Sequence, residues 1–267
     1  MSLLSPSAEL ALPPSLAFSR DGDVGILELN RAAKRNALDD DTVLGLERFA
    51  AAPPAGIGAV VLCAAGDHFS AGLDLSDVAQ RDLPAAIAHS RLWHRAFEAI
   101  EFGSVPVVAA LHGATIGGGL ELAAACHLRI AERSAFYALP EGQRGIFLGG
   151  GGSVRLPRLI GTARVMDMLL TGRVYDAEAG QTFGISQYLV DDGAGRAKAI
   201  ELAHRIAANA PISNFAILQA LPRIADGHAS LGYITEALVA AIAATDEQAK
   251  TRVQAFLDKR AAKVTRE

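Results

Sequence analysis

The chain has 267 residues, 51% hydrophobic and 20% charged, which suits one large domain or a core with an appendage. A formal net charge of −4 and a pI near 6.0 give no general attraction for nucleic acid or an anionic membrane surface. No uninterrupted apolar run reaches membrane-spanning length, and the start, broken by Pro6, Pro13 and Pro14 and lacking a basic segment, does not read as a secretory signal. Cys63 and Cys126 both sit in apolar runs, as expected of buried thiols in a reducing cytoplasm, with a disulfide or ligand pair as the alternative. The histidines show no H-x-x-x-H pair, and the spacing of His89 and His94 does not bring them onto one helix face.

In chain order, the first ten or so residues read as a loose tail. Leu16-Ala17-Phe18-Ser19 and Val24-Gly25-Ile26-Leu27-Glu28-Leu29 flank Arg20-Asp21-Gly22-Asp23, and Asp-Gly between apolar stretches predicts a hairpin. Asp39 or Asp40 caps a helix that ends before Pro53-Pro54. Ala59-Val60-Val61-Leu62-Cys63 reads as a buried strand. The loop after it, Phe69-Ser70-Ala71-Gly72-Leu73-Asp74-Leu75, has small residues at its centre, and Ala71 and Gly72 could present a backbone N–H without obstruction. The plainer alternative is a simple strand-to-helix connection. Residues 84–101 read as a helix in which Trp93 is a core residue or a pocket wall.

The strand Val107-Val108-Ala109-Ala110-Leu111 leads into Gly117-Gly118-Gly119-Leu120-Glu121, which opens a helical run. That layout leaves backbone N–H groups unpaired at a helix start, and the glycines let another group approach them. Glu121 stands in the first turn, where the helix dipole favours a carboxylate. One short stretch therefore offers an oxyanion binder beside an acid/base; its simpler alternative is a tight turn with an ordinary first-turn glutamate. Leu128-Arg129-Ile130-Ala131 is a further strand, followed by Phe136-Tyr137-Ala138-Leu139-Pro140-Glu141. Gly149-Gly150-Gly151-Gly152 could cradle a phosphate, but no Gly-Lys-Ser/Thr follows, and Gly193-Ala194-Gly195 lacks the third glycine of a dinucleotide fingerprint. From about Gly152 onward helical patterns dominate: 163–170, 197–208, 215–224, 231–244 and 246–260. A break near Ala210-Pro211 divides a core at 12–209 from a helical region at 210–267.

Taken together, these motifs resemble the enoyl-CoA hydratase/isomerase (crotonase) superfamily over nearly the whole chain. They are Asn30-Arg31 with Asn36-Ala37-Leu38, the 69–75 loop, His112-Gly113 through Gly117-Gly118-Gly119-Leu120-Glu121-Leu122, Pro140-Glu141, and Phe256-Leu257-Asp258-Lys259-Arg260. Departures are Ala32 for the usual Pro, His112 for the common Asn, Leu148 for a Pro, and a less apolar Gly142-Gln143-Arg144. The resemblance implies an α/β fold, a spiral of β-β-α turns followed by a C-terminal helical oligomerisation region. It also implies a homotrimer or a dimer of trimers in the cytoplasm.

The implied substrate is an acyl-CoA thioester, with CoA part of the substrate and no separate cofactor or metal. The implied reaction is reversible syn hydration of a trans-2-enoyl-CoA. Ala71 and Gly118 would supply the oxyanion N–H groups, Glu121 would activate water, and Glu141 would protonate the α carbon. Asp74, Leu75, Gly149, Trp93, Phe147 and Lys259 (or Lys263) are assigned to substrate binding, with Phe97 and Tyr137 helping to line an acyl pocket. Double-bond isomerisation, hydratase–lyase cleavage of an aromatic enoyl-CoA, a non-catalytic CoA- or RNA-binding role, and nucleotide hydrolysis at the 149–152 loop are the rivals.

Overall fold

A computed structural model describes residues 11–74 and 82–258. The described residues fall into two compact units, one running to Ile206 and the other starting at Ala207.

The first unit begins with the expected hairpin. Strands β1 (Leu16–Asp21) and β2 (Val24–Leu29) pair antiparallel, and Gly22 takes φ +60° in the turn. β3 (Ala59–Ala64), β4 (Val107–Leu111), β6 (Leu128–Glu132) and β9 (Tyr188–Val190) extend this sheet in the order β1-β2-β3-β4-β6-β9, parallel from β2 onward. β4 is buried along its whole length, as befits a parallel strand covered on both faces.

A second, smaller sheet is formed by β5 (Ala114–Ile116), β7 (Phe136–Ala138) and β8 (Tyr175–Asp176). Single parallel bridges, Leu38 to Leu73 and Ser70 to Thr115, continue it backwards along the chain. Each turn of the chain therefore lays a long strand in the first sheet, a short one in the second, and then a helix. β2, Leu38 and helix α1 (Asp40–Ala51) make one turn, and β3, the segment at Ser70 to Leu73 and α2 (Leu83–Glu101) make the next. β4, β5 and α3 (Gly118–Ala125) make the third. β6 and β7 open the fourth, which continues through a 3-10 turn at Gly142–Arg144 to α4 (Gly152–Ile160) and α5 (Thr162–Thr171). α6 (Ala177–Phe183) and α7 (Gly195–Ala207) follow. This is the expected spiral of β-β-α turns.

Local chemistry explains the helix starts. Asp39 accepts from the Thr42 N–H at 2.9 Å and Asp82 from the Ala85 N–H at 2.9 Å, so α1 and α2 are capped by carboxylates. Phe49, Trp93, Phe97, Leu29, Leu62 and Leu111 pack the space between these helices and the first sheet. Both cysteines are buried free thiols, as expected, and burial pushes each up to about 12.

The second unit holds α8 (Pro211–Asp226), α9 (Ala229–Thr245) and α10 (Glu247–Leu257). Pro211 occupies the first turn of α8, where its missing N–H costs nothing. Phe215, Leu221, Leu231, Ile234, Leu238 and Ile242 of this unit are exposed.

Candidate active site

Three successive turns of the spiral bring their strand-to-helix links to one place. The link of the second turn passes through Ala71, Gly72 and Leu73. Leu38 engages both neighbours of Leu73: its N–H donates to Gly72 O (2.8 Å) and its carbonyl accepts from Asp74 N (2.9 Å). In a parallel bridge of this kind the N–H of the intervening residue points the other way. Gly72, at φ +86°, turns the chain so that this N–H meets the start of α3. A Cβ added to Gly118 would lie 3.3 Å from Leu73 N, and one added to Gly72 would lie 3.1 Å from Gly118 N. Among the described residues neither the Leu73 N–H nor the Gly118 N–H has an acceptor.

This corrects one expectation. The Ala71 N–H donates to Arg35 O at 2.9 Å and is not available to a ligand; Ala71 contributes only to the wall. Leu73 takes its place beside Gly118. The sequence signal was present, because N–H direction alternates along an extended segment, but its phase depends on the pairing with Leu38. Asn36 fixes that pairing. Its side chain accepts from Arg31 N (2.8 Å) and donates to Ala65 O and His68 O (both 2.8 Å).

Glu121 projects from the first turn of α3 and is 3% exposed. Its Oε1 accepts from Gly150 N (2.9 Å) and Gly152 N (2.8 Å). Burial raises its pKa; the Gly152 and Gly150 amides and the Arg155 charge pull the other way. The 149–152 glycine run thus cradles a carboxylate of this chain, and the phosphate cradle that the run suggested is filled from within. A Cβ on Gly152 would lie 2.6 Å from Glu121 Cγ, so the cradle requires glycine there. Arg155 locks it from behind, with Nε 2.6 Å from Glu101 Oε2 and Nη1 donating to Gly150 O at 3.0 Å.

Glu141 opens the 3-10 turn after Pro140 and is 7% exposed. Its Oε2 is buried and, among the described residues, has no hydrogen-bond partner. Burial first, and the Glu121 charge second among the raising effects, push its pKa up to about 7, against its own backbone amide and Arg144.

Both carboxylates face a cavity of about 320 Å³. Its walls include Ala71, Leu73, Gly118, Gly149, Trp93 and Phe147, together with His89 and Ser90 of α2 and Arg144 and Ile146 beyond Glu141. Trp93 is both core and wall. Its ring is the reason for one glycine, because a Cβ on Gly118 would come within 2.6 Å of Cζ3, and it shares a second with Phe97, since a Cβ on Gly150 would lie 2.9 Å from Phe97 Cε2 and 3.1 Å from Trp93 Cε3.

Three assignments fall elsewhere. Asp74 turns away to an ion pair with Arg31 at 3.2 Å and is not part of the wall. Phe97 lies behind Trp93, edge-on at 5.5 Å, and Tyr137 is fully buried against Gly180. Leu75, Lys259 and Lys263 lie outside the described residues. Leu73, His89, Ser90, Arg144 and Ile146 were not singled out from sequence as wall residues, since nothing local marks which residues of a loop or helix face a cavity.

Residues 19–266 match the family model described as enoyl-CoA hydratase/isomerase. The chain belongs to that family. It is 32% identical over 249 residues to the 2,3-dehydroadipyl-CoA hydratase of Escherichia coli (strain K12), covering 92% of this chain and 96% of that one. The crystal structure of a provisionally assigned enoyl-CoA hydratase from Rhodopseudomonas palustris CGA009 superposes with a TM-score of 0.90 at 55% identity, over 97% of this chain and 100% of that one. A fatty acid oxidation complex subunit alpha from Shewanella loihica is 43% identical over 149 residues, 55% of this chain but only 21% of that longer protein. The family acts on acyl-CoA thioesters, and the protein is an enzyme of the hydratase/isomerase type. No helix among the described residues is long and apolar enough to cross a membrane.

Proposed function

We propose that the protein hydrates a trans-2-enoyl-CoA to the 3-hydroxyacyl-CoA. The observation that supports this reading best is the pair of acceptor-free N–H groups, Leu73 and Gly118, set against two buried carboxylates held in different environments. The thioester oxygen accepts from both N–H groups. Negative charge grows on that oxygen as a nucleophile adds to the β carbon, and donors fixed in advance stabilise it without reorganisation. Glu121, held by two backbone N–H groups, is the better anion and takes a proton from water as the oxygen adds. Glu141, with an unpartnered buried oxygen, is the better acid and gives its proton to the α carbon. The proton gained by Glu121 then returns to Glu141 through solvent, which closes the cycle with one water consumed.

A double-bond shift moves one proton between two carbons and needs no water held between two carboxylates, so the pair favours hydration over isomerisation. The chemistry calls for no cofactor beyond the CoA of the substrate. The exposed apolar face of the second unit supports self-association as a homotrimer or dimer of trimers, which light scattering reads directly.

The test follows loss of the conjugated enoyl-thioester absorbance with crotonyl-CoA. Rapid loss in the wild type and a drop of about 10³-fold or more in Glu141→Gln is expected. Conversion of a 3-enoyl-CoA with no hydration of crotonyl-CoA would replace hydration by isomerisation.

A further inference from the structure

Hydration engages the thioester and the first carbons of the acyl chain; the far end of that chain meets the wall beyond Glu141. There Arg144, Ile146 and Phe147 face the cavity. Arg144 is rooted by its backbone, whose N–H donates to Pro140 O (3.2 Å) and Glu141 O (3.0 Å) and so closes the 3-10 turn beside the second carboxylate. Its side chain is exposed and, among the described residues, has no hydrogen bond or ion pair. Of the other polar side chains of the wall, Glu141 Oε2 and Trp93 Nε1 have no hydrogen-bond partner among the described residues, and the remaining three are engaged. His89 lies 2.9 Å from Asp40, Ser90 donates to Gly149 O at 2.8 Å, and Glu121 is held by its two glycine amides. Arg144 is therefore the one cation of the described wall whose side chain has neither a hydrogen bond nor an ion pair, although its charge acts on the neighbouring Glu141.

A guanidinium beside Ile146 and Phe147 is a poor neighbour for a purely aliphatic tail. It suits a planar anion, to which it can donate two parallel hydrogen bonds. The CoA phosphates are the other anions of the substrate, but they sit at the far end of the pantetheine arm. Arg144 lies next to Glu141, the group set against the acyl carbons. We propose that Arg144 receives a carboxylate at the distal end of the acyl chain, so that the substrate is the CoA monothioester of an unsaturated dicarboxylic acid. The inference rests on the proposed function only for the placement of the acyl chain against Glu141.

Saturated thioesters test it without turnover. Calorimetric affinities are compared for pairs that differ only in the terminal carboxylate: succinyl- against butyryl-CoA, glutaryl- against pentanoyl-CoA, and adipyl- against hexanoyl-CoA. In the wild type the dicarboxylic member of at least one pair binds about 10-fold tighter or better. Arg144→Gln brings that ratio to about one, and Arg144→Lys retains part of it. The turn uses only the backbone of Arg144, so both variants fold, which a thermal melt checks. A ratio of one or less at every length in the wild type overturns the proposal. So does a ratio that survives Arg144→Gln, or an equal weakening of both members, which would move the guanidinium to the CoA phosphates. A retained ratio in a protein that fails to hydrate any enoyl-CoA would sink the reaction and leave this assignment standing.

Discussion

Replacing Glu141 by Gln is expected to remove activity and, at alkaline pH, to stabilise the fold. A carboxyl that titrates at about 7 when folded, against an ordinary 4.5, binds more protons in the native than in the unfolded state between those values. Stability from this group is therefore complete below about pH 4.5, falls as the pH rises, and is fully lost above about pH 7. The difference corresponds to ~3 kcal/mol at pH 8 as an upper bound. Gln has the shape of the protonated acid and no charge, so it escapes the loss. For a chain of this size the gain is about 5–10 °C in Tm at pH 8, with little change at pH 5. Paired melts of wild type and variant at the two pH values read it. A variant no more stable at pH 8 than at pH 5, relative to wild type, would refute burial of Glu141 as the cause of its raised pKa. The combination of a stabilised fold and lost hydration also separates a chemical role from misfolding.

Arg155→Leu removes the ion pair at 2.6 Å with Glu101 and the hydrogen bond to Gly150 O, and should destabilise by about 3 kcal/mol because Glu101 is left without its partner. It also withdraws a charge that lowers the pKa of Glu121, so the acid limb of the kcat/KM profile moves to higher pH; an unmoved limb would contradict Glu121 as the base. Gly118→Ala places a Cβ 2.6 Å from Trp93 Cζ3 and 3.3 Å from Leu73 N, which displaces the donor pair. A fall in kcat of about 10²–10³-fold is expected, measured on crotonyl-CoA with CoA binding checked in parallel. Cys63 and Cys126 should resist iodoacetamide at pH 8 in the folded protein and react promptly in urea, as mass spectrometry of the quenched samples would show.

What the sequence made legible follows the range of the interactions involved. The hairpin at Gly22, the cap at Asp39 and the glycine turn at Gly117 are written in neighbouring residues, and all appear as read. β5 and β8 are too short to show a period, and Pro157 inside α4 masks that helix. The donor was placed at Ala71 rather than Leu73 because the direction of a backbone N–H is fixed by the distant partner Leu38. Tyr137 was misassigned for a similar reason: β7 pairs with β5 and β8, and its side chain packs on Gly180, a residue of α6. Local chemistry marks where a loop is special; pairing decides which of its atoms are exposed.

The same division explains how one chain holds two glutamates in unlike surroundings. Both are buried, and burial alone would raise both. Glu121 sits where a glycine run from the next turn of the spiral can close over it, and two amides at 2.8 and 2.9 Å favour its anion. Glu141 belongs to that next turn itself, upstream of the glycine run, and among the described residues no turn folds back to donate to its Oε2. The asymmetry comes from chain order in the spiral, since each strand-to-helix link is covered by the link that follows it. The glycines at 150 and 152 matter less as flexible residues than as amides without a Cβ. A side chain at 152 would strike Glu121 Cγ and hold the cradle open, leaving both carboxylates in the same unassisted state. The unlike surroundings that the proposed acid and base require then follow from one steric requirement.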